Sequence, residues 1–276
     1  QNNDIPFFRY SDIILMKAEA ILRGGAATGG ATAQAARMAA QITAAYPEYW
    51  PETVRALLVH SARWTPPMLA AINACAGKKD KTDCIRRFGY GVPDLARAAA
   101  SATNDLALVA QNAIQPFRKD GSVRFNEAHV YELPWPRQML EELDNTRVRL
   151  KVTLSYFVEP NPSFASAIDP ARYQSFGLRF DLKRSRETAF NFHKRNNAEI
   201  DGDGAKAKSF TDDGWLFGPK SVSAGSLHMD IWEGAAVDLA SRNMLYIRPI
   251  SGWWRERDSL GRYNDQTRYA LVISIE

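Results

Sequence analysis

The sequence predicts an α+β protein in which a helical N-terminal part precedes an antiparallel, jelly-roll-like β-sandwich. Alanine, the strongest helix former, occurs 23 times in residues 1–105 and only 16 times in the 171 residues that follow. Five of the seven tryptophans and the clearest alternating patterns lie in the second part, and both features favour strands. The main boundary is therefore expected near residue 105.

The helical part contains five predicted helices. They cover residues 10–23, 31–46, 51–61, 68–75 and 93–102. Ser11 is a good N-cap for the first helix, and Gly24 is a good terminator. Pro51 suits the first turn of the third helix. The charged residues between Cys75 and Cys84 are expected to form a loop.

Strands are expected throughout the second part, and residues 147–157 form the clearest one. Apolar residues from Val148 to Tyr156 alternate with polar residues from Arg149 to Ser155. This pattern predicts one buried face and one face in contact with water. Similar runs occupy residues 176–182, 227–231, 245–247 and 269–275. Without a long helix among them, they favour an antiparallel sandwich or jelly roll.

Charge and hydropathy argue against two classes of partner. The net charge is +4, from 35 basic and 31 acidic residues. Acidic residues lie beside the densest basic groups, at 78–81, 183–186 and 194–195, so we expect solvated charges and no nucleic-acid site. No apolar run approaches the length of a membrane span, and no signal peptide is visible. The compartment stays open, with a cytoplasmic location slightly favoured.

Several segments together carry a family resemblance. Residues 30–40 read as a small-residue helix, residues 46–62 run from Tyr-Pro to Leu-Leu-Val-His-Ser-Ala, and residues 89–94 read Gly-Tyr-Gly-Val-Pro-Asp. A strand like 148–156 follows. In this order they resemble the C-terminal part of subtilisin-like serine peptidases (subtilases), over about residues 30–276. The resemblance implies hydrolysis of protein or peptide substrates through an acyl-enzyme in the parent family.

The resemblance breaks at the nucleophile. Residues 27–29 read Ala-Thr-Gly where the family has Gly-Thr-Ser, so Gly29 falls at the nucleophile position. The family's catalytic Asp and His and its oxyanion-hole Asn precede this point, and residues 1–28 do not resemble those segments. We therefore expect a truncated, inactive pseudoenzyme with no catalytic residue, no cofactor and no metal ligand.

Residues 1–29 resemble a different family. Residues 9–20 read Arg-Tyr-Ser-Asp-Ile-Ile-Leu-Met-Lys-Ala-Glu-Ala, which is similar to a helix of SusD-like glycan-binding lipoproteins. The predicted organisation is a SusD-like segment (1–29), the last helices of a subtilase catalytic domain (30–105) and a β-sandwich (106–276). The junction could be a chimera, a gene remnant or an assembly artefact.

The four histidines do not form an evident catalytic set. His60 is expected to be a structural histidine in a packed helix, and His129 and His228 are expected on sheet surfaces. His193 lies in a polar stretch. Because no Gly-x-Ser-x-Gly elbow occurs, a cryptic serine triad is disfavoured.

Three further features each have a structural and a functional interpretation. Cys75 and Cys84 are poorly spaced for zinc; they could form a loop disulfide in an oxidising compartment, but free thiols are slightly favoured. The Asp-Gly pairs at 201–204 and the aspartates at 212–213 could suggest calcium, but are better explained as turns. Trp253 and Trp254 could form a stacking surface; in an extended segment one would be core and the other rim.

The alternative to a peptidase remnant is a non-catalytic β-sandwich module that binds a partner or regulates an enzyme. Position 29 discriminates between the two, since serine there would favour the peptidase. A SusD-like glycan binder is a weaker third possibility, because the β-rich remainder argues against it. In the subtilase interpretation, the helix at 31–46 would lose the sheet that covers it in the family, so its surface could mediate association.

Overall fold

The computed structural model describes residues 30–103, 107–162, 173–201, 214–218 and 225–276. The helices in these ranges are α1 (Gly30–Ala45), α2 (Pro51–Ser61), α3 (Pro66–Asn73), α4 (Lys78–Phe88), α5 (Leu95–Thr103), α6 (Arg137–Glu142), α7 (Ala189–Asp201), α8 (Ala236–Ala240) and α9 (Trp253–Glu256). The strands are β1 (Ala107–Ile114), β2 (Phe117–Asp120), β3 (Ser122–Phe125), β4 (His129–Glu132), β5 (Arg147–Tyr156), β6 (Gly177–Leu182), β7 (Leu227–Ala235), β8 (Met244–Ile250) and β9 (Thr267–Ile275). The predicted α+β class is confirmed.

Local sequence explains where the N-terminal helices begin. Both α2 and α3 start at a proline that follows an extended residue, Trp50 or Thr65. Proline suits this position because the first turn of a helix leaves its N–H groups without intrahelical partners. The charged loop expected between Cys75 and Cys84 was a wrong prediction, since most of this segment belongs to α4. Asp80 in the first turn and basic residues in the last turn match the helix dipole.

The strands form three antiparallel sheets. The four-stranded sheet has the order β1-β9-β5-β7, the three-stranded sheet has the order β4-β8-β6, and β2 and β3 form a hairpin. From β4 to β9, each successive strand lies in the opposite one of the two larger sheets. The predicted strand segments are thus observed as antiparallel strands.

The two faces of the four-stranded sheet have different neighbours. On one face, Leu154 of β5 and Leu271 of β9 share a hydrophobic cluster with Leu178 and Ile247 of the three-stranded sheet. On the other face, Ala270 and Val272 of β9 join side chains of α1, α2 and α5 in a second cluster. Period-two alternation along β9 therefore directs its side chains into two separate cores.

The expectation that one face of β5 contacts water was wrong for most of the strand. Lys151, Thr153 and Ser155 are buried, whereas Arg149 near the strand's start is exposed. The reason is that α2 packs on this face of β5 and β9. The polar side chains of β5 thus lie inside the protein, between a helix and a sheet.

The absence of a long helix among the strands was also a wrong expectation. Helix α7 has 13 residues and lies in sequence between β6 and β7. Phe192 is fully buried against Met244 and Tyr246, while Phe190 is exposed. Asn196 is also fully buried, so the buried positions of this mostly polar segment are not all apolar and the apolar periodicity of the sequence is weak.

The predicted division near residue 105 falls between α5, which ends at Thr103, and β1, which begins at Ala107. Residues 104–106 lie outside the described ranges, as do residues 1–29 with the first predicted helix. Among the helices described, none combines the length and apolar character needed to cross a membrane.

Candidate functional site

The predicted nucleophile position lies next to the first described residue. Gly29 is outside the described residues, and α1 begins at Gly30. Ala39 and Ile42 of α1 are buried against Leu57 of α2. Alanine-rich helices can approach their neighbours closely, and α1 packs on both α2 and α5. The small-residue helix that would follow a subtilase nucleophile is therefore present and packed.

A set of buried or half-buried polar side chains lies between α2 and the four-stranded sheet. We call it the helix–sheet polar layer, and its members are Arg55, His60, Lys151, Thr153, Ser155 and Ser274. Burial of polar groups is costly unless each is hydrogen-bonded. The layer is therefore the candidate functional site.

Arg55 connects α2 to the ends of two strands. Its Nε donates to the Ser155 hydroxyl at 2.9 Å, and a terminal nitrogen donates to the Tyr156 carbonyl at 2.6 Å and the Ser226 carbonyl at 2.5 Å. The guanidinium also lies 4.3 Å from the centre of the Phe157 ring. This geometry binds backbone and hydroxyl oxygens and serves to hold the helix on the sheet.

His60 is paired at both ring nitrogens. Nδ1 lies 2.9 Å from the Thr153 hydroxyl and Nε2 lies 2.8 Å from the Ser274 hydroxyl. Burial, followed by the nearby charge of Lys151, holds the pKa of His60 well below its ordinary value. The neutral ring therefore donates to one hydroxyl and accepts from the other.

A hydroxyl beside an imidazole is also the pairing that activates a serine nucleophile. However, His60 is only 3% exposed and Thr153 is fully buried. The ring is enclosed between α2 and the sheet, where a peptide substrate has no access. This placement agrees with the structural role predicted for His60.

Lys151 is the buried cation of the layer. Its side chain reaches the end of α2, where Nζ donates to the Ala62 carbonyl at 2.9 Å. Burial is the main cause that lowers the pKa of Lys151 to about 8; the Glu276 carboxylate opposes this shift, and Arg63 and Arg97 add to it. The ammonium is thus charged at neutral pH but loses its proton far more readily than an exposed lysine.

We expect the stability of the protein to rise from pH 8 to pH 10.5 because of Lys151. In this interval the unfolded state retains a proton that the folded state has lost, so raising the pH favours folding. A shift from 10.5 to about 8 corresponds to a gain of about 3 kcal/mol. Urea unfolding at a series of pH values measures it.

Lys151→Met is the matched variant, because it keeps the buried stem and removes the titrating group. It should lose this part of the alkaline rise, whatever its absolute stability. An equal rise in the variant would contradict the buried titration of Lys151.

The remaining histidines are not assembled with His60. His129 is half-buried in β4, with Nδ1 2.7 Å from the Tyr269 hydroxyl. His193 lies on α7. The sheet-surface expectation for His228 was wrong: it is 1% exposed, and its Nε2 lies 3.0 Å from the Tyr156 hydroxyl. It is buried because it pairs with Leu154 of β5 on the sheet face that packs against the three-stranded sheet.

The tryptophan pair also differs from the expectation. Trp253 and Trp254 are both buried, because the segment forms the short helix α9 rather than an extended strand. Both ring nitrogens bond to Glu159: Trp253 donates to its carbonyl oxygen and Trp254 to its carboxylate. The pair therefore belongs to the core and presents no exposed stacking surface.

One of the basic groups expected in solvent is largely buried. Arg195 of α7 pairs with Glu187 at 3.0 Å and with Asp181 of β6. Its side chain is 13% exposed.

Cys75 and Cys84 are free thiols with their sulfurs 3.4 Å apart.

No metal centre is found among the residues that the structure describes. They contain no cluster of three or more His, Cys, Asp or Glu side chains able to hold a metal ion. Of the predicted Asp-Gly turns, residues 202–204 and 212–213 lie outside the described ranges.

Sequence reasoning missed the two cations of the polar layer, Arg55 and Lys151. A weak signal existed for Arg55, because it interrupts a run of apolar residues in α2. Residues 52–61 of this helix are all buried, and a helix buried on every side must satisfy its polar groups internally. Lys151 carried no comparable signal, since alternation with apolar residues is also typical of solvent-facing positions.

Part of the chain matches a known protein family. Residues 20–91, about a quarter of the chain, match the sequence model of the Subtilase family (Peptidase_S8). This supports a subtilase-like segment. The match covers α1 to α4 and the positions of Gly29 and His60. No curated protein and no solved structure matches the chain.

The SusD-like interpretation of residues 1–29 is not supported by these comparisons. The subtilase match begins at residue 20, which places the last ten residues of that segment within the subtilase-like region.

Proposed function

We propose that this chain corresponds to the C-terminal part of a subtilisin-like serine endopeptidase and does not itself hydrolyse peptide bonds. The observation that carries the proposal is the subtilase match over residues 20–91, which includes position 29. On the register set by the small-residue helix, Gly29 stands where the family has its serine. An acyl-enzyme requires a side-chain nucleophile, and glycine has none.

The polar layer supports the same proposal. Its hydroxyl–imidazole pairs are enclosed between α2 and the sheet, with His60 at 3% exposure. Arg55 and Lys151 bond to oxygens that belong to the two packed elements. These contacts account for the polar residues of the layer as an interface, without a catalytic role.

We further propose that residues 106–276 form a jelly-roll β-sandwich appended to the subtilase-like helices at 30–105. Side chains of both larger sheets contribute to one hydrophobic cluster, and successive strands from β4 to β9 alternate between them. Such alternation is expected of two interlocked Greek keys. In this proposal, proteins or peptides are the substrates of the parent family and are not cleaved by this chain. A binding or regulatory role of the sandwich is the alternative for this chain.

We expect the purified chain to resist labelling by a serine-directed fluorophosphonate and to leave peptide substrates uncleaved. The physical reason is the missing nucleophile at position 29. Intact-mass measurement after exposure to the probe gives the stoichiometry, with an active subtilisin in parallel as the positive control. Labelling by one probe per chain would overturn the proposal. The chain would then contain an activated serine, although Gly29 occupies the position of the family's nucleophile.

A further inference from the structure

The two cysteines lie close together at one corner of the helical part. Cys75 follows α3, and Cys84 lies within α4. Their sulfurs are 3.4 Å apart, and both residues are half-buried free thiols. The Cys75 thiol also donates to the Ala71 carbonyl of α3 at 3.2 Å. The corner thus brings two thiols into mutual reach at an accessible position.

The geometry requires little movement to join them. A disulfide bond is about 2.05 Å long, so the sulfurs must approach by roughly 1.3 Å. Rotation of two half-exposed side chains is a small change of this kind. The bond would close a loop over residues 75–84 and connect α4 to the end of α3.

We propose that Cys75 and Cys84 form a reversible redox site that reacts with small disulfides of the glutathione type. One protein thiolate attacks a sulfur of the external disulfide, forms a mixed disulfide and releases one small thiol. The second protein thiolate then attacks the protein-side sulfur and releases the second small thiol. In sum, two protein thiols are oxidised to one disulfide, and one external disulfide is reduced to two thiols that take up the two protons.

The disulfide acts on the attachment of α4 to the rest of the protein. Ile85 of α4 lies in a buried cluster with Tyr90, Phe217 and Met229. Tying the preceding half of α4 to α3 restricts the opening of this corner. A closed loop also restricts the unfolded chain, so the oxidised protein should melt about 5 °C higher than the reduced protein.

The test uses the full chain equilibrated in buffers with increasing ratios of oxidised to reduced glutathione, then acid-quenched and alkylated. Intact mass should show loss of two hydrogens, no alkylation and no retained glutathione, in a single two-electron transition. Cys75→Ser and Cys84→Ser are the matched controls. Each should retain one glutathione, because it lacks the second thiol that resolves the mixed disulfide.

Three outcomes would overturn the proposal: a glutathione adduct that persists on the unmutated chain, disulfide-linked dimers, or thiols that stay reduced in the most oxidising buffer. A melting temperature equal in the two redox states would overturn the restriction of the α3–α4 corner. The chemistry is independent of Gly29, so its failure would leave the proposed function unchanged.

Discussion

Replacement of Arg55 with alanine should lower the free energy of unfolding by about 3–5 kcal/mol. The guanidinium donates to the Ser155 and Ser226 hydroxyls and to two backbone carbonyls, and Arg55 is 7% exposed. Alanine would remove the guanidinium donor from the buried Ser155 hydroxyl and Tyr156 carbonyl and would remove the contact with Phe157. The Ser226 carbonyl would keep its bond from the Tyr156 N–H. Urea unfolding followed by circular dichroism gives the difference.

Arg86→Ala is the matched control for this prediction. Arg86 lies on α4, its side chain is 67% exposed, and it pairs with Asp83 one turn away. Exposed pairs of this kind contribute little, so the control should change the free energy of unfolding by about 0.5 kcal/mol or less. If Arg55→Ala were as mild as Arg86→Ala, Arg55 would not hold α2 on the sheet.

Replacement of Gly91 with alanine should cost about 3 kcal/mol or more. Gly91 has φ +99°, which side-chain-bearing residues rarely adopt. A Cβ at this position would also overlap the backbone of Arg63 and Trp64. That backbone is held in place by two hydrogen bonds between Arg63 and Val92, at 3.1 and 2.9 Å. The clash is therefore with atoms that cannot move independently.

Gly121→Ala separates backbone strain from the clash. Gly121 has φ +67° in the turn between β2 and β3, and a Cβ there meets nothing within 4 Å. Its replacement should cost about 1–2 kcal/mol from the left-handed conformation alone. Equal losses in the two variants, measured by the same urea unfolding, would show that close approach of the Arg63 backbone is not what requires glycine at 91.

Gly91 belongs to the Gly-Tyr-Gly segment on which part of the subtilase resemblance rests. The structure supplies a physical reason for glycine there: the chain passes against the end of α2, where Arg63 and Val92 pair as an isolated bridge. The preceding Tyr90 hydroxyl accepts a bond from the Met229 backbone at 3.3 Å, which anchors this turn to β7. The segment thus connects the helices to the sheet.

The sequence was a good guide to the elements and a poor guide to their surroundings. Helices α1, α2 and α5 were predicted within two residues of their observed ends, because proline, glycine and alanine act locally. Helix α7 was missed because its mostly polar sequence shows little apolar periodicity, and one of its buried residues, Asn196, is polar. The expected arrangement of Trp253 and Trp254 was wrong because it holds only for an extended segment, whereas the chain forms α9 there.

The polar layer shows why burial could not be derived from the pattern. Alternation along β5 indicates that its two faces differ in polarity, and water was the simplest neighbour for the polar face. The actual neighbour is α2, whose Arg55 bonds to Ser155 across 100 positions of sequence. The alternation along β5 is the same whether water or a distant helix covers its polar face.

By itself, the sequence determined the positions of α1, α2, α5 and five of the strands, the subtilase-like order of the N-terminal segments and the absence of a side chain at Gly29. These follow from local preferences and from residue identity. Only the tertiary structure decided that His60 is enclosed, that Lys151 is a buried cation and that Cys75 meets Cys84. Each of these depends on which surfaces come together, and that depends on packing between distant parts of the chain.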